Sequence, residues 1–381
     1  MPDKGSETVN ISLKPLDPSV VAQTAILKRI FDLWMLDRAF QNAYREDPSA
    51  ALCTAGLDAE QRAAAFLLDG KRAADGESVP TSFLAFQGLI NQRVARNDGL
   101  SRTDLVPADP CFGDWRERQI RRCLRRLGPK ARYMSHLPVA YELSLGCSVG
   151  CPFCGVSAGP LKGLFRYTKE NAALWRSVLA MLHSLWGDAA GTGPCYYANE
   201  PLDNPDYESF LGDYWREFRV IPQTTTAAAT RDVERTRALL RWGQETWLHF
   251  DRLSVLSERD MRIIFRSFQP EELLYTDLLP QFAEAPANCM KRAGRNAEGE
   301  GEPGTIACVS GFIINMAERS VRLVTPTVAD TDHPTGELIP EKRSFTCAED
   351  LAAAIRQMTE NHMTRTLRLS DLFPSVRQSD K

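Results

Sequence analysis

The sequence of 381 residues predicts a mixed α/β protein built around a partial (β/α) barrel. Three observations predict this class. Downstream of about residue 136, short extended runs alternate with helical stretches, a pattern typical of parallel strands joined by helices. Upstream of that point, the apolar spacing is helical alone. Beyond a Gly/Glu-rich stretch at 294–304, a strand-rich segment and one last helix follow.

The N-terminal part predicts a helical domain at 18–132, after a disordered stretch at 1–17. From Pro18 to about Leu68, apolar residues recur at steps of three and four, as on one face of a helix. A further helix is predicted from Asp114 to Leu127, where a Gly-Pro pair ends it. We expect this domain to flank the barrel.

One charge run stands out in this domain. Eight of the 17 residues between Arg116 and Arg132 are Lys or Arg. Two interpretations are open: a solvated helix face, or a docking surface for an acidic peptide or a reductase.

The barrel is predicted over 136–330. The runs "PVAYELSLGC", "GPCYYAN", "IPQTTTAAA" and "LHFDRLSVLS" are expected to be extended, and the intervening stretches helical. The 294–304 stretch has no large apolar side chain that could pack into a core, so the sequence predicts a flexible loop there. A C-terminal segment at 331–381 closes with a helix around Ala348–His362.

Composition and charge narrow the class of protein. A formal charge of −3 gives no reason to expect nucleic acid or an anionic membrane as a partner. No stretch approaches the roughly 20 apolar residues that span a bilayer, and the polar N-terminus lacks the core of a signal peptide. Ten cysteines without a secretion signal favour a reducing compartment. We therefore expect a cytoplasmic enzyme.

Three of these cysteines form a compact array, "LGCSVGCPFCGVSA", in which Cys147, Cys151 and Cys154 follow a predicted strand. A structural zinc site requires four ligands, and a disulfide framework requires an even number of cysteines. Three thiolates can instead hold three irons of a [4Fe–4S] cluster and leave the fourth iron open. The alternatives are three incidental cysteines, or a zinc site completed by His136.

With Phe153 before its last cysteine, the array resembles the signature of the radical S-adenosylmethionine superfamily. That resemblance implies a TIM-like partial barrel, a [4Fe–4S] cluster on the three cysteines, and S-adenosylmethionine bound at the open iron. It also implies a 5′-deoxyadenosyl radical that removes hydrogen from carbon.

A second motif, "YYANEPLDNPDYESF", resembles the family's glycine-glycine-glutamate turn. Ala198, Asn199 and Glu200 take its three places, so the glutamate is kept and both glycines are replaced. The resemblance implies that Glu200 and nearby backbone carbonyls bind the ammonium group of the cofactor, which needs acceptors.

Polar groups that end later strands are weaker candidates for binding the ribose or carboxylate of the cofactor. They are Thr224 or Thr226, and Ser254 or Ser257. The alternative interpretation is that these are ordinary strand-end residues.

Segments from "YELSLGC" to "ACVSGFIINM", with "FQPEELL", resemble the radical S-adenosylmethionine peptide epimerases that mature ribosomally made natural products of the proteusin type. The resemblance spans about residues 20–365. It implies conversion of L to D residues in a precursor peptide of leader plus core, with a flavodoxin- or ferredoxin-type reductant as the electron source. It also implies that the helical domain at 18–132 offers a docking site for the leader.

The same resemblance implies a thiol that donates hydrogen to the peptide radical. Cys308 is the first candidate and Cys289 the alternative; the other cysteines outside the array are scattered singly. Three rival functions stay open. They are a radical enzyme that forms a carbon–carbon or thioether crosslink, an enzyme acting on a small molecule, and an iron–sulfur protein without turnover.

Overall fold

The computed structural model describes residues 13–74, 77–101, 106–128, 131, 134–299, 304–305 and 307–363. Most of the predicted disordered N-terminus, at 1–12, and the end of the C-terminal segment, at 364–381, lie outside these residues. None of the described helices is long and apolar enough to cross a membrane.

Within the described residues, helices and strands alternate as follows. The α-helices are α1 (Val21–Leu36), α2 (Arg38–Glu46), α3 (Pro48–Thr54), α4 (Gln61–Leu68), α5 (Thr81–Ser101), α6 (Pro110–Leu127), α7 (Lys169–Trp186), α8 (Tyr207–Phe218), α9 (Val233–Thr246), α10 (Glu258–Ser267) and α11 (Ala348–His362). The strands are β1 (Leu137–Glu142), β2 (Ser144–Leu145), β3 (Gly163–Leu164), β4 (Thr225–Thr226), β5 (Asp251–Val255), β6 (Thr276–Pro280), β7 (Val309–Asn315), β8 (Ser320–Pro326) and β9 (Glu337–Ser344).

Helix starts follow capping chemistry. The helix predicted from Asp114 begins four residues earlier, because the Asp109 carboxylate accepts from the N–H groups of Cys111 and Phe112 and Pro110 fits the first turn. Thr168 and Ser257 cap α7 and α10 in the same way.

The described residues form two compact units, and each is built from two stretches of chain. The cysteine unit comprises 97–224 and 291–363, and the helix-rich unit comprises 13–96 and 225–290. The sequence predicted consecutive domains instead, at 18–132, 136–330 and 331–381; those boundaries stay a prediction.

The cysteine unit is organised around a sheet of four strands in the order β1-β7-β8-β9. β1 and β7 are parallel, with Leu137 opposite Val309 and Glu142 opposite Asn315, while the other pairs are antiparallel. Every residue of β1 and β7 is buried, as expected for strands covered on both faces. α6 packs on β7 and β8, and its Phe112 contacts Phe312 edge-on.

The helix-rich unit contains a parallel sheet in the order β4-β5-β6, with α9 and α10 as the connections. One face of this sheet is apolar and packs on those helices through Leu240, Leu253 and Ile264. α1 to α5 form a second apolar cluster around Leu27, Ile30 and Leu52.

The mixed α/β class is confirmed, but a barrel is not shown. The described strands are hydrogen-bonded in three separate sheets, and "GPCYYAN" is not a strand. Its backbone makes one strand-like hydrogen bond with β1, in which the Tyr141 N–H donates to the Pro194 carbonyl at 2.9 Å. Further along the segment, the Ala198 N–H donates to the Glu142 side chain instead. The partial barrel therefore stays a prediction.

Two arginines of the charge run in α6 are buried in the core. Arg116 and Arg122 are buried and donate to backbone carbonyls of His136 and Pro326 at 2.6 and 2.5 Å, so they do not belong to a solvated face. Arg121, Arg125 and Arg126 are exposed, and the last residues of the run lie outside the described part of the chain. A docking role for the exposed arginines stays a prediction.

Acid should destabilise the cysteine unit through His136, which is buried next to Ser310. Burial, with the charges of Arg116 and Arg122, lowers the pKa of His136 to about 3 from 6.5. As the pH falls below 6.5, the unfolded chain binds a proton that the folded chain rejects, so stability decreases toward pH 3. We expect a loss of about 2 kcal/mol between pH 7 and pH 5 from this group.

Chemical denaturation at the two pH values measures this effect. His136→Gln should flatten the pH dependence relative to the wild type. An equal slope in the two proteins would contradict the assignment.

Candidate functional site

The cysteine array occupies a loop held at both ends by a short hairpin. β2 and β3 pair antiparallel on either side of it, and Cys147 forms a bridge with Pro160, its N–H donating to the Gly159 carbonyl at 2.9 Å. Gly146 has a φ of +85°, and a Cβ there would lie 2.1 Å from the Pro160 oxygen, so only glycine fits. The array therefore follows the carboxyl end of β1, as predicted.

The three thiols of the array are free and half-buried. Backbone N–H groups of Val149 and Ala158 approach the sulfurs of Cys147 and Cys154 at 3.4 and 3.5 Å. Burial raises the pKa of Cys147, and burial together with the neighbouring thiols raises the pKa of Cys151 to about 11. A bound metal would have to displace these protons.

This donor set fits an iron–sulfur cluster better than a single ion. In the described part of the chain, no group of three or more His, Cys, Asp or Glu side chains could hold a metal ion. In a cluster each thiolate binds a different iron, so the sulfurs need not converge on one point. Zinc completed by His136 is not supported, since His136 precedes β1 and the array follows it, roughly 16 Å of strand away.

An open cavity of about 490 Å³ lies at this loop. Cys147 lines it together with Ser148, Pro160 and Arg295. The predicted cofactor contact Phe153 is half-buried within the same loop.

Arg295 is a residue that sequence reasoning missed. The 294–304 stretch was expected to be a flexible excursion, but Gly294–Asn296 is a 3-10 turn next to the fully buried Ala293. Residues 300–303 lie outside the described chain. Nothing in the local sequence distinguishes this arginine, because its partners are carbonyls far away in the chain.

The second motif lies beside the array. Both oxygens of Asp203 accept from Ser148, the backbone N–H at 2.8 Å and the hydroxyl in a short contact. Glu200 is 3% exposed, and its carboxylate accepts from the Leu202 N–H at 3.0 Å. Burial is the main cause of the raised pKa of Cys147, and the negative charges of Glu200 and Asp203 add to it. The structure therefore brings the array and the Glu200 segment together.

The two positions that replace the family's glycines are engaged by a buried network. The Ala198 N–H donates to Glu142 at 3.0 Å, and the Asn199 amide donates to the Ser144 hydroxyl at 2.9 Å. Glu142 in turn accepts from Arg322 at 2.9 Å and from Asn315 at 3.1 Å. The signal for this network was a lone charge, Glu142, inside the apolar run "PVAYELSLGC".

The strand-end candidates divide between the units. Thr226 and Ser254 lie in the helix-rich unit; Thr226 is buried and accepts from the Ala228 N–H at 2.9 Å, and Ser254 is half-buried on β5. Thr224 lies in the cysteine unit within 3.1 Å of the Tyr207 hydroxyl. The alternative Ser257 caps α10, which is an ordinary structural role.

The two candidate hydrogen donors differ in their place in the fold. Cys308 precedes β7, at the opposite sheet edge from the array, and packs with Leu137 and Tyr197. Cys289 follows β6, and its thiol donates to the Pro280 carbonyl at 3.1 Å at the carboxyl end of that strand. Cys308 belongs to the cysteine unit and Cys289 to the helix-rich unit, and their order as candidate donors stays a prediction.

Comparisons with known proteins are few. No family model matches the chain. A protein of Sinorhizobium fredii (strain NBRC 101917 / NGR234), "Uncharacterized protein y4wI", is 41% identical over 273 residues, which are 68% of this chain and 53% of that protein. The chain thus spans about half the length of this relative.

A solved structure, that of BtrN in complex with AdoMet and 2-DOIA, is similar with a TM-score of 0.36 and 15% identity. The similarity covers 49% of this chain and 71% of BtrN.

Proposed function

We propose that the protein is a radical S-adenosylmethionine enzyme with one [4Fe–4S] cluster. The observation that carries this proposal is the contact between the two sequence motifs. The loop with Cys147, Cys151 and Cys154 is tied to the segment with Glu200 through Ser148 and Asp203. A cofactor bound at an open iron requires both motifs at one place, and this contact meets that requirement.

Residues of the chain have separable tasks in this proposal. The three thiols hold the cluster, and Glu200 accepts from the ammonium group of S-adenosylmethionine. The Glu142 network holds the 198–199 backbone in place beside Glu200. When bound, the cluster and S-adenosylmethionine supply a carbon radical that removes hydrogen from a substrate.

The finer proposal is a peptide epimerase that acts on a ribosomally made precursor of leader plus core. The epimerase-like segments of the sequence support it. A thiol inverts the stereocentre by giving hydrogen from the face opposite to abstraction. A flavodoxin- or ferredoxin-type protein would supply the electron, in a reducing cytoplasm where ten cysteines stay reduced.

The test is an anaerobic reaction of the iron-loaded, reduced protein with S-adenosylmethionine and the precursor peptide in D2O. Chiral analysis of the hydrolysed product should find D residues, each with one deuterium from solvent, because a thiol proton exchanges with water. A product that has lost two hydrogens would indicate a crosslinking enzyme. Cleavage of S-adenosylmethionine with no change in any peptide would be consistent with a radical S-adenosylmethionine enzyme but would refute the epimerase.

Glu200→Gln should weaken binding of S-adenosylmethionine without loss of iron. A neutral acceptor replaces a charged one, and hydrogen bonds to charged groups contribute about 1.5–3 kcal/mol, so affinity should fall roughly 10- to 150-fold. Calorimetric titration of the iron-loaded protein measures this. Glu170→Gln, which removes an exposed carboxylate at the start of α7, is the matched control. Equal affinities in the two variants would remove Glu200 from the cofactor site.

A further inference from the structure

The turn at 294–296 reaches the cysteine loop from 140 residues further along the chain. The Arg295 guanidinium donates to the Cys151 carbonyl at 2.6 Å and to the Ala158 carbonyl in a short contact. The Arg295 backbone N–H donates to the Cys154 carbonyl at 3.0 Å. One residue thus binds three carbonyls spread over the whole loop.

The backbone of the turn is itself fixed. The Gly294 N–H donates to the Pro334 carbonyl at 2.6 Å, and the Asn296 side chain donates to the Lys291 carbonyl at 3.0 Å. Gly294 has a φ of +56°, and a Cβ there would lie 2.4 Å from the Gly155 oxygen. This close approach of two backbones is possible only for glycine, and it sets Arg295 against the loop.

These contacts have both a geometric and an electrostatic effect. The planar guanidinium has donors in a fixed fork, so two carbonyls bound to it are held at a set spacing. Its positive charge lies at the rim of the cavity that Cys147 also lines. A cation at this position favours the more negative, reduced state of any cluster on the thiols, because cluster potentials depend on nearby charge.

We propose that Arg295 is a positioning residue that keeps the cysteine loop in its cluster-binding shape and makes a cluster bound there easier to reduce. The part of this inference that concerns the cluster rests on the proposed function. The part that concerns the shape of the loop does not, since its contacts exist in the protein alone.

The first experiment uses the full chain prepared without iron, and measures hydrogen–deuterium exchange of the 147–160 segment. Arg295→Gln removes the fork, and Gly294→Ala moves the turn while keeping the charge. Both variants should exchange this segment roughly tenfold faster than the wild type, the factor that loss of one charge-assisted hydrogen bond gives. Lys291→Gln removes the same charge from an exposed side chain nearby and should exchange as the wild type does.

The second experiment uses the iron-loaded protein and separates the fork from the charge. Arg295→Lys and Arg295→Gln should both lose iron to a chelator roughly tenfold faster than Lys291→Gln. In a redox titration followed by electron paramagnetic resonance, the midpoint potential should become more negative in Arg295→Gln and stay near the wild-type value in Arg295→Lys.

The outcomes distinguish the two proposals. If the wild type binds no cluster, the proposed function fails, and the exchange data alone decide whether Arg295 shapes the loop. If the wild type binds a cluster but Arg295→Gln matches Lys291→Gln in exchange, iron loss and potential, the role of Arg295 is refuted and the proposed function stands.

Discussion

Replacing Cys147, Cys151 and Cys154 together by alanine should reduce bound iron and sulfide to background and abolish formation of 5′-deoxyadenosine. Each iron would lose its thiolate. Among the described residues outside the array, no group of three or more His, Cys, Asp or Glu side chains could hold a metal in their place. Iron and sulfide analysis after anaerobic reconstitution measures the first effect, and chromatography of the reduced reaction measures the second.

A second triple variant controls for the number of thiols removed. Cys53, Cys111 and Cys347 are free, lie outside the array, and are exposed or half-buried. Their joint replacement by alanine should leave iron content and S-adenosylmethionine cleavage close to wild type. Iron-loaded, turnover-competent protein from the array variant would end the radical S-adenosylmethionine proposal.

In the proposed epimerase, Cys308→Ala should uncouple hydrogen abstraction from inversion. The variant should still cleave S-adenosylmethionine and still move deuterium from a Cα-deuterated peptide into 5′-deoxyadenosine. The peptide radical would lack its thiol donor, so the yield of D residues should collapse. Cys308 is the first candidate from the sequence, and it lies in the same unit as the array.

Cys289→Ala is the matched control, because it removes the alternative thiol, and we expect it to keep making D residues. Cys308 packs against the apolar cluster beside Leu137 and Tyr197, so a purely structural role would cost about 1–3 kcal/mol of stability and leave D residues forming. If Cys289→Ala instead loses inversion while Cys308→Ala keeps it, Cys289 is the donor and the sequence-based order is wrong.

The sequence predicted best what local chemistry determines. α11 has the predicted bounds, since helical spacing and flanking breakers are local signals. The array after β1 and the neighbouring Glu200 segment could likewise be predicted from the sequence. The spacing of the thiols and a carboxylate after a run of extended composition are both local patterns.

Long-range contacts could not be predicted from the sequence in this way. "GPCYYAN" has the composition of a strand, but the Glu142 side chain takes the N–H of Ala198. Arg295 looked like part of a mobile loop, because its three carbonyl partners lie about 140 residues earlier and carbonyls have no sequence signature. Cys308 lies at the amino edge of β7, which the sequence alone does not reveal, because a lone cysteine on a predicted strand carries no signal of the edge it occupies.

The interleaved arrangement of the two units has a consequence for synthesis on the ribosome. The array leaves the ribosome well before β7, which pairs with β1 in the parallel sheet, and before Arg295, which fastens the loop. At about 5–20 residues per second, the last array cysteine precedes Arg295 by roughly 7–30 s. During that interval the three thiols of the nascent chain lack the contacts from β7 and Arg295, and they are exposed to oxidation and to metals other than iron. We therefore expect yield of correctly loaded protein to depend on the iron supply and thiol-protecting capacity of the producing cell, beyond what the stability of the finished fold would suggest.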